Sequence, residues 1–352
     1  MAKIAILNDT HLGIRNSSDI FLDNAAKFYK EVFFPVCDEY KIKQVLHLGD
    51  YYDNRKTINI KALNHNRKSF LEPLRARNMM MDIIPGNHDC YYKNTNDVNS
   101  LKELLGYFMN EVNIISKPTV MNYFGTKIAM LPWINSENYD FSMSFVNNCD
   151  AKFLCGHLEF AGFDMMRGVE SKHGMDTKPF EKFDLVMTGH YHTRSQQKNI
   201  LYLGSQMEFT WSDAHDQKYF YVFDTETEEL EQIENPYTLF EKIVYNDSIF
   251  DMQAYDFTNL DGKFVKIVVT HKANQDAFDN FITKVSDRKI HDLKIDEDLT
   301  EFKGENVEIE QVEVEDTQKL IYYYVDSTDT NLDKDRIKKL MSSLHVEAQM
   351  ME

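Results

Sequence analysis

Five short apolar runs in this chain each break off into a cluster of Asp, His, Asn or Gly, and that repetition constrains the fold more than any other feature. The clusters are Asp9-x-His11, Gly49-Asp50-x-x-Asp53, Gly86-Asn87-His88-Asp89, Gly156-His157 and Gly189-His190-x-His192. The runs ahead of them, KIAILND, QVLHLGD, MMMDIIPG, AKFLCGH and DLVMTGH, have the length and apolar content of buried strands. KIAMLPW, NILYLGS and YFYVFDT read the same way. Helical patterns lie between them. Layered α/β proteins deliver site residues from the C-terminal ends of buried strands, so a layered α/β fold is expected.

One such cluster carries little, because Asp-x-His and Gly-His pairs arise often by chance and a core histidine is usually just hydrogen-bonded. Five in order hold five of the chain's twelve histidines. Together they offer carboxylates, imidazoles and an amide oxygen, a set suited to manganese, iron or zinc. The set has no thiolate, which argues against a closed structural zinc site. Asp50 follows a strand and lies between the other groups in chain order, a natural place for a carboxylate shared by two ions. Two cations about 3.5–4 Å apart can activate a water and clamp the attacking and leaving oxygens of phosphoryl transfer. The other histidines, His47, His65, His173, His215, His271, His291 and His345, read as structural or solvated.

Composition narrows the partners. The formal net charge is −18, a poor basis for stand-alone binding to a phosphate backbone. Either a local basic face overrides it or another subunit supplies the grip. One basic face is visible: Arg55, Lys56, Lys61, Arg67, Lys68, Arg75 and Arg77 share a stretch whose one carboxylate is Glu72. It reads equally as a solvated helix surface. No run of 18 or more apolar residues and no signal-like start is present, so no membrane contact is expected. The four cysteines, Cys37, Cys90, Cys149 and Cys155, show no CxxC spacing, which fits a reducing cytoplasm.

Four regions are expected along the 352 residues. Residues 1–245 carry the clusters. Residues 246–296 form a small α/β cap, within which 263–296 read as strand, helix, strand. Residues 297–331 are dense in Asp and Glu and read as an acidic linker. Residues 332–352 form a helical tail, with Ile337, Leu340, Met341 and Leu344 at helical spacing. Leu101, Leu104, Leu105 and Phe108 make a second such stripe.

In this order the clusters resemble the calcineurin-like metallophosphoesterases, whose core is a β-sandwich flanked by helices. Within that family the chain is similar to SbcD-type nucleases, including those of T-even phages. The resemblance is carried by NDTHLG (8–13), LGDYYDNRK (48–56), PGNHDCYYKN (85–94), LCGHLEFAGF (154–163), TGHYHT (188–193) and YLGSQMEFTWSD (202–213). It extends to DFTNLDGKFVKIVVT (256–270), in the cap. It implies a first metal on Asp9, His11, Asp50 and His192 and a second on Asp50, Asn87, His157 and His190. The ions would be Mn2+, with Mg2+ as the alternative. It further implies that His88 stabilises the transferring phosphate or protonates the leaving oxygen, oriented by Asp89.

The same resemblance implies DNA as substrate, a homodimer, and an SMC-like coiled-coil ATPase as partner in recombination and double-strand break repair. Candidate DNA contacts are Asp53, Arg55, Lys56, Arg67 and Lys68. Dimer contacts would come from the stripe of Leu101, Leu104, Leu105 and Phe108, unless it packs on its own sheet. The ATPase would take the stripe of Ile337, Leu340, Met341 and Leu344. One departure stands out: many cellular members have histidine where this chain has Asp53, which leaves the balance of exonuclease and endonuclease action open. The group is alternatively a hydrogen-bond partner of a ligand histidine. Competing readings are a metallophosphatase, a small-molecule phosphodiesterase, or a non-catalytic scaffold for the ATPase.

Overall fold

A computed structural model describes residues 2–297, apart from 106, 107, 109, 167, 168, 172 and 173, and beyond them 325, 333, 334, 336–338, 340 and 341. The chain divides into two units, Met1–Glu297 and Asp298–Glu352. All eight apolar runs are strands, and they build two six-stranded sheets. The first has the order Leu230–Asn235, Lys218–Asp224, Lys3–Leu7, Gln44–His47, Met80–Ile83, Val112–Ile114. The second runs Ser195–Gln197, Ile200–Tyr202, Leu185–Gly189, Phe153–His157, Thr126–Leu131, Thr119–Tyr123.

Side-chain alternation explains why the two sheets face each other. Along Lys3–Leu7, Ile4 and Ile6 enter a core shared with Met130, Phe153 and Met187 of the second sheet. Ala5 and Leu7 point the other way, into a core with Phe28, Phe33 and Phe70. On the far side, Leu154 and Val186 pack with Val146, Phe180 and Phe183. The result is a mixed α/β fold of two sheets between helical layers.

Strand register places the clusters at one edge. Leu7 pairs with His47, and His47 with Ile83, all in parallel, so the loops bearing Asp9, Asp50 and Asn87 leave the first sheet side by side. In the second sheet Gly189 pairs with His157, so His190 emerges next to it.

The helix Ser100–Leu104 is capped by Asn99, whose side chain accepts from Lys102 N–H. Its stripe is not a surface. Leu101, Leu105 and Phe108 are buried in the core behind the first sheet, and Leu104 packs against it. The expected dimer contact therefore has to be corrected: these side chains are committed to the chain's own sheet.

A third, three-stranded parallel sheet contains Phe240–Asn246, Phe264–His271 and Asp292–Glu297. Phe278, Phe281 and Val285 of the helix Gln275–Ser286 cover one face by packing on Ile243, Tyr245, Val265 and Ile267. The boundary expected at 245/246 runs through its first strand. That strand serves both cores, since Phe240 packs with Phe21 and Trp211 while Ile243 and Tyr245 face the small helix.

Of the expected tail, Ile337, Leu340 and Met341 are helical, and Ile337 N–H donates to the Asp333 carbonyl at 3.1 Å. Leu344, and the acidic linker apart from residues 297 and 325, lie outside the described residues. Among the described residues no helix is long and apolar enough to cross a membrane.

Candidate metal centre

The loops that carry the clusters are strained and tied to one another. Asp9 (φ 46°), His11 (φ 40°), Asp50 (φ 52°) and His190 (φ 97°) all adopt left-handed backbone, at a cost of about 1–3 kcal/mol each. Such conformations persist where surrounding bonds over-determine them. Here Asp9 N–H donates to the Gly49 carbonyl (2.9 Å) and His11 N–H to that of Asp50 (3.1 Å), so the first loop is zipped to the second. The buried Asp89 carboxylate accepts from the Tyr51, Tyr52 and Gly86 amides, at 3.1, 3.1 and 2.9 Å, which ties the second loop to the third. Gly86 is required by proximity: a Cβ there would lie 2.2 Å from Asp50 Oδ1.

Three groups of ligand atoms converge, each with its members within 4.8 Å of one another: Asp9, His11 and His192; Asp50, His157 and His190; and His11, Asp53 and His88. Asp50 links them. Its Oδ2 lies 3.8 Å from His11 Nε2 and 3.4 Å from His157 Nε2, and its Oδ1 accepts from His88 N–H at 2.8 Å. Asn87 joins the second group, with Oδ1 3.0 Å from both His157 Nε2 and His190 Nδ1. All seven residues expected to bind metal are thus brought together.

The donor set fits divalent cations. His157 Nδ1–H donates to the Leu48 carbonyl at 2.7 Å, which leaves Nε2 as the lone-pair nitrogen turned toward Asp50. His11 and His192 bring their Nε2 atoms within 3.0 Å of each other, an arrangement that calls for a positive charge near both. Oxygen and imidazole donors without thiolate suit manganese, magnesium or iron. Electrostatics agree. Burial disfavours a charged His157, yet Asp50 raises its pKa to about 9. Burial likewise works against ionisation of Asp50, but His157 and His88 hold its pKa well below the usual carboxylate range. The site attracts positive charge, which bound cations would supply in place of protons.

Asp89, His88 and Asp53 are held by contacts between the loops. The Asp89 carboxylate staples loops, and burial beside Asp50 raises its pKa to about 6. His88 is oriented by the Asp53 carbonyl, to which Nδ1–H donates at 2.6 Å. Asp53 itself, grouped above with DNA contacts, directs Oδ1 at His11 Nδ1, 3.3 Å away. A carboxylate behind a ligand histidine fixes its tautomer and orientation.

Four of the seven cations of the basic face are paired with carboxylates, three of these distant in sequence. Lys61 pairs with Asp19, Arg67 with Glu72, Arg75 with Glu111 and Arg77 with Asp38. Among the described residues Arg55, Lys56 and Lys68 show no ion pair. Of the histidines set aside, His47 is buried against Thr10 and burial lowers its pKa to about 3, while His65 and His271 meet Asp23 and Asp247. His173 and His345 lie outside the described residues.

Sequence reasoning missed the supports. Buried Lys218 donates to the His192 carbonyl (2.9 Å) and pairs with Asp213 (2.6 Å) and Asp216 (2.9 Å). Phe209 packs edge-on against His11 and His192, with centroids 5.5 Å from each. Asp213 and Phe209 lie in the YLGSQMEFTWSD stretch, but nothing in the local sequence marks Lys218.

The family model for calcineurin-like phosphoesterases matches residues 2–194. Exonuclease subunit 1 of Enterobacteria phage T4 is 30% identical over 353 aligned residues, spanning 98% of this chain and 99% of that protein. Among solved structures, an archaeal phosphodiesterase overlaps 66% of this chain and 99% of its own, at 15% identity and a TM-score of 0.35. The nuclease MPE of Pseudomonas putida overlaps 62% of this chain and 83% of its own, at 15% identity and a TM-score of 0.30. By the family match over more than half its length and a relative aligned almost end to end, the chain belongs to the calcineurin-like phosphoesterases, metal-dependent enzymes of phosphoester hydrolysis.

Proposed function

We propose that this chain is a two-metal DNA nuclease and the nuclease subunit of a recombination and repair complex. The observation that carries the reading is the convergence of two ligand groups on one shared carboxylate, Asp50. The near end-to-end alignment with a protein named as an exonuclease subunit supports DNA as the substrate. Asp9, His11, Asp50 and His192 would hold one cation, and Asp50, Asn87, His157 and His190 the other, with Mn2+ preferred over Mg2+. When bound, the pair supplies Lewis-acid polarisation of the phosphoryl group and a water of lowered pKa. His88, fixed by the Asp53 carbonyl, serves the other end of the reaction. As imidazolium it donates to the developing phosphoryl charge or passes a proton to the leaving oxygen.

Arg55, Lys56 and Lys68 offer unpaired cations for the DNA backbone, with Arg67 partly held by Glu72. Against a net charge of −18 this is a weak grip, which favours a partner, an SMC-like coiled-coil ATPase. Its contact would be the tail helix bearing Ile337, Leu340, Met341 and Leu344. A homodimer would use exposed apolar side chains such as Tyr91, Tyr92 and Val98, which shortly precede the buried stripe in sequence, and sedimentation of the isolated chain decides it. The complex would work in the cytoplasm, the host's if the chain is phage-encoded.

The test is cleavage of plasmid, linear duplex and single-stranded DNA with manganese or magnesium, with and without the ATPase. Manganese-dependent cutting of DNA by the isolated chain is expected. Hydrolysis of bis(p-nitrophenyl) phosphate with no cutting of any DNA would assign a small-molecule phosphodiesterase instead.

A further inference from the structure

Beside the second ligand group the protein opens a cavity of ≈280 Å3. His157 lines it, together with Trp133, Tyr139, Glu159, Ser136 and Met175. We propose that this cavity receives the base of the nucleotide whose phosphate lies at the metal centre. The inference rests on the nuclease reading and specifies how that site takes its substrate.

Position argues first. His157 belongs to both the ligand group and the cavity wall, so a phosphate held by the one has its own nucleoside within reach of the other. Trp133 makes the junction rigid. Its ring packs on His190 and His157, with centroids 5.2 and 5.9 Å away. Its backbone is tied on both sides: N–H donates to the Pro85 carbonyl at 3.0 Å, and its carbonyl accepts from Asn96 and Asn138 at 2.7 and 3.0 Å. Tyr139, at the start of the helix Tyr139–Asn148, is 47% exposed, a large ring turned to solvent beside a reaction centre.

Chemistry argues second. Among the described residues the lining holds no lysine or arginine and includes the Glu159 carboxylate, a set that favours an uncharged ring over a second phosphate. It suits a flat, uncharged heteroaromatic ring. Trp133, Tyr139 and Met175 supply stacking and dispersion surface, while Ser136 and Glu159 supply polar groups for ring edges. Asn135 is already used, since Oδ1 accepts from the Glu137 and Asn138 amides and Nδ2 donates to Asn96. A base in this cavity cannot also be stacked in a duplex. The site would therefore cut nucleotides that are unstacked, in single strands, at frayed ends or after flipping.

The experiment compares a single-stranded oligonucleotide with the same strand carrying one stable abasic residue, mapping cuts in manganese for the full chain, Tyr139→Ala and Tyr139→Phe. Cutting at the phosphate of the abasic residue should fall roughly 5- to 150-fold, the worth of one base–aromatic stack. Tyr139→Ala should lose kcat/KM on the ordinary strand mainly through KM, with Tyr139→Phe restoring it. The alanine variant and the abasic residue together should cost less than the product of their separate effects. Equal cutting at abasic and ordinary positions overturns the inference and leaves the nuclease reading standing. Hydrolysis of bis(p-nitrophenyl) phosphate with neither strand cut overturns both.

Discussion

His88 meets the loop of Asp50 and Asp53 at two points: its amide donates to Asp50 Oδ1 and its ring to the Asp53 carbonyl. None of the proposed cation pair depends on its side chain. His88→Ala should therefore keep both metals and lose roughly two to four orders of magnitude in turnover. Metal analysis beside steady-state kinetics checks this, and undiminished cutting would remove His88 from the chemistry. Asp53 differs in kind, because its carboxylate stands behind His11. Asp53→Ala should weaken manganese affinity by about 10- to 100-fold, read by calorimetric titration. A raised KM for DNA at unchanged metal affinity would return Asp53 to the substrate surface. The residues that converge at the centre are readable in the sequence because five strand ends share one composition. The orienting contacts are not. Asp89 gathers the Tyr51, Tyr52 and Gly86 amides, and the Asp53 carbonyl receives His88 Nδ1–H, contacts of backbone atoms that no motif displays.

Elements were legible in proportion to their burial. The eight apolar runs are strands whose hydrophobic pattern the two cores enforce. Edge strands such as Ser195–Gln197 and Leu230–Asn235 are half solvated and polar, so they leave no apolar run to read. The first strand of the small sheet was divided by the expected boundary because its residues serve two cores. Glu208 makes that junction physical. It is buried, and Oε2 accepts from the Leu239 and Phe240 amides at 2.5 and 2.9 Å, where the strand begins. Burial raises its pKa from 4.5 to about 7, against the pull of those amides. A raised carboxyl pKa means that the folded chain binds the proton more tightly than the unfolded one. Stability is then highest below about pH 4.5 on this account and falls as pH rises to about 7, by roughly 3 kcal/mol in total. Glu208→Gln, a mimic of the protonated form, should match the parent in denaturant melts at pH 5 and exceed it at pH 8. A difference that does not change with pH would contradict the shift.

At the scale of the whole molecule, charge is the dominant fact. On the proposed function, a chain of net charge −18 with much of its basic face occupied by ion pairs would need its cations and a partner to approach DNA. Salt should therefore weaken DNA binding by the assembled complex more steeply than binding by the isolated chain, because the complex neutralises more phosphates. The proposed tail helix makes the partnership testable: Leu340→Asp would bury a charge in an apolar contact and weaken ATPase binding by roughly 2–4 kcal/mol. Pull-down titration reads it, and full affinity would place the contact elsewhere. The central claim, that two cations share Asp50 to cut phosphodiesters, is tested most directly by titrating manganese into the apo chain while counting bound ions and measuring cleavage of single-stranded DNA. The account predicts two ions per chain, cleavage that rises with the second, and loss of both in Asp50→Asn. Full cleavage with one ion per chain, or in excess chelator, would contradict it.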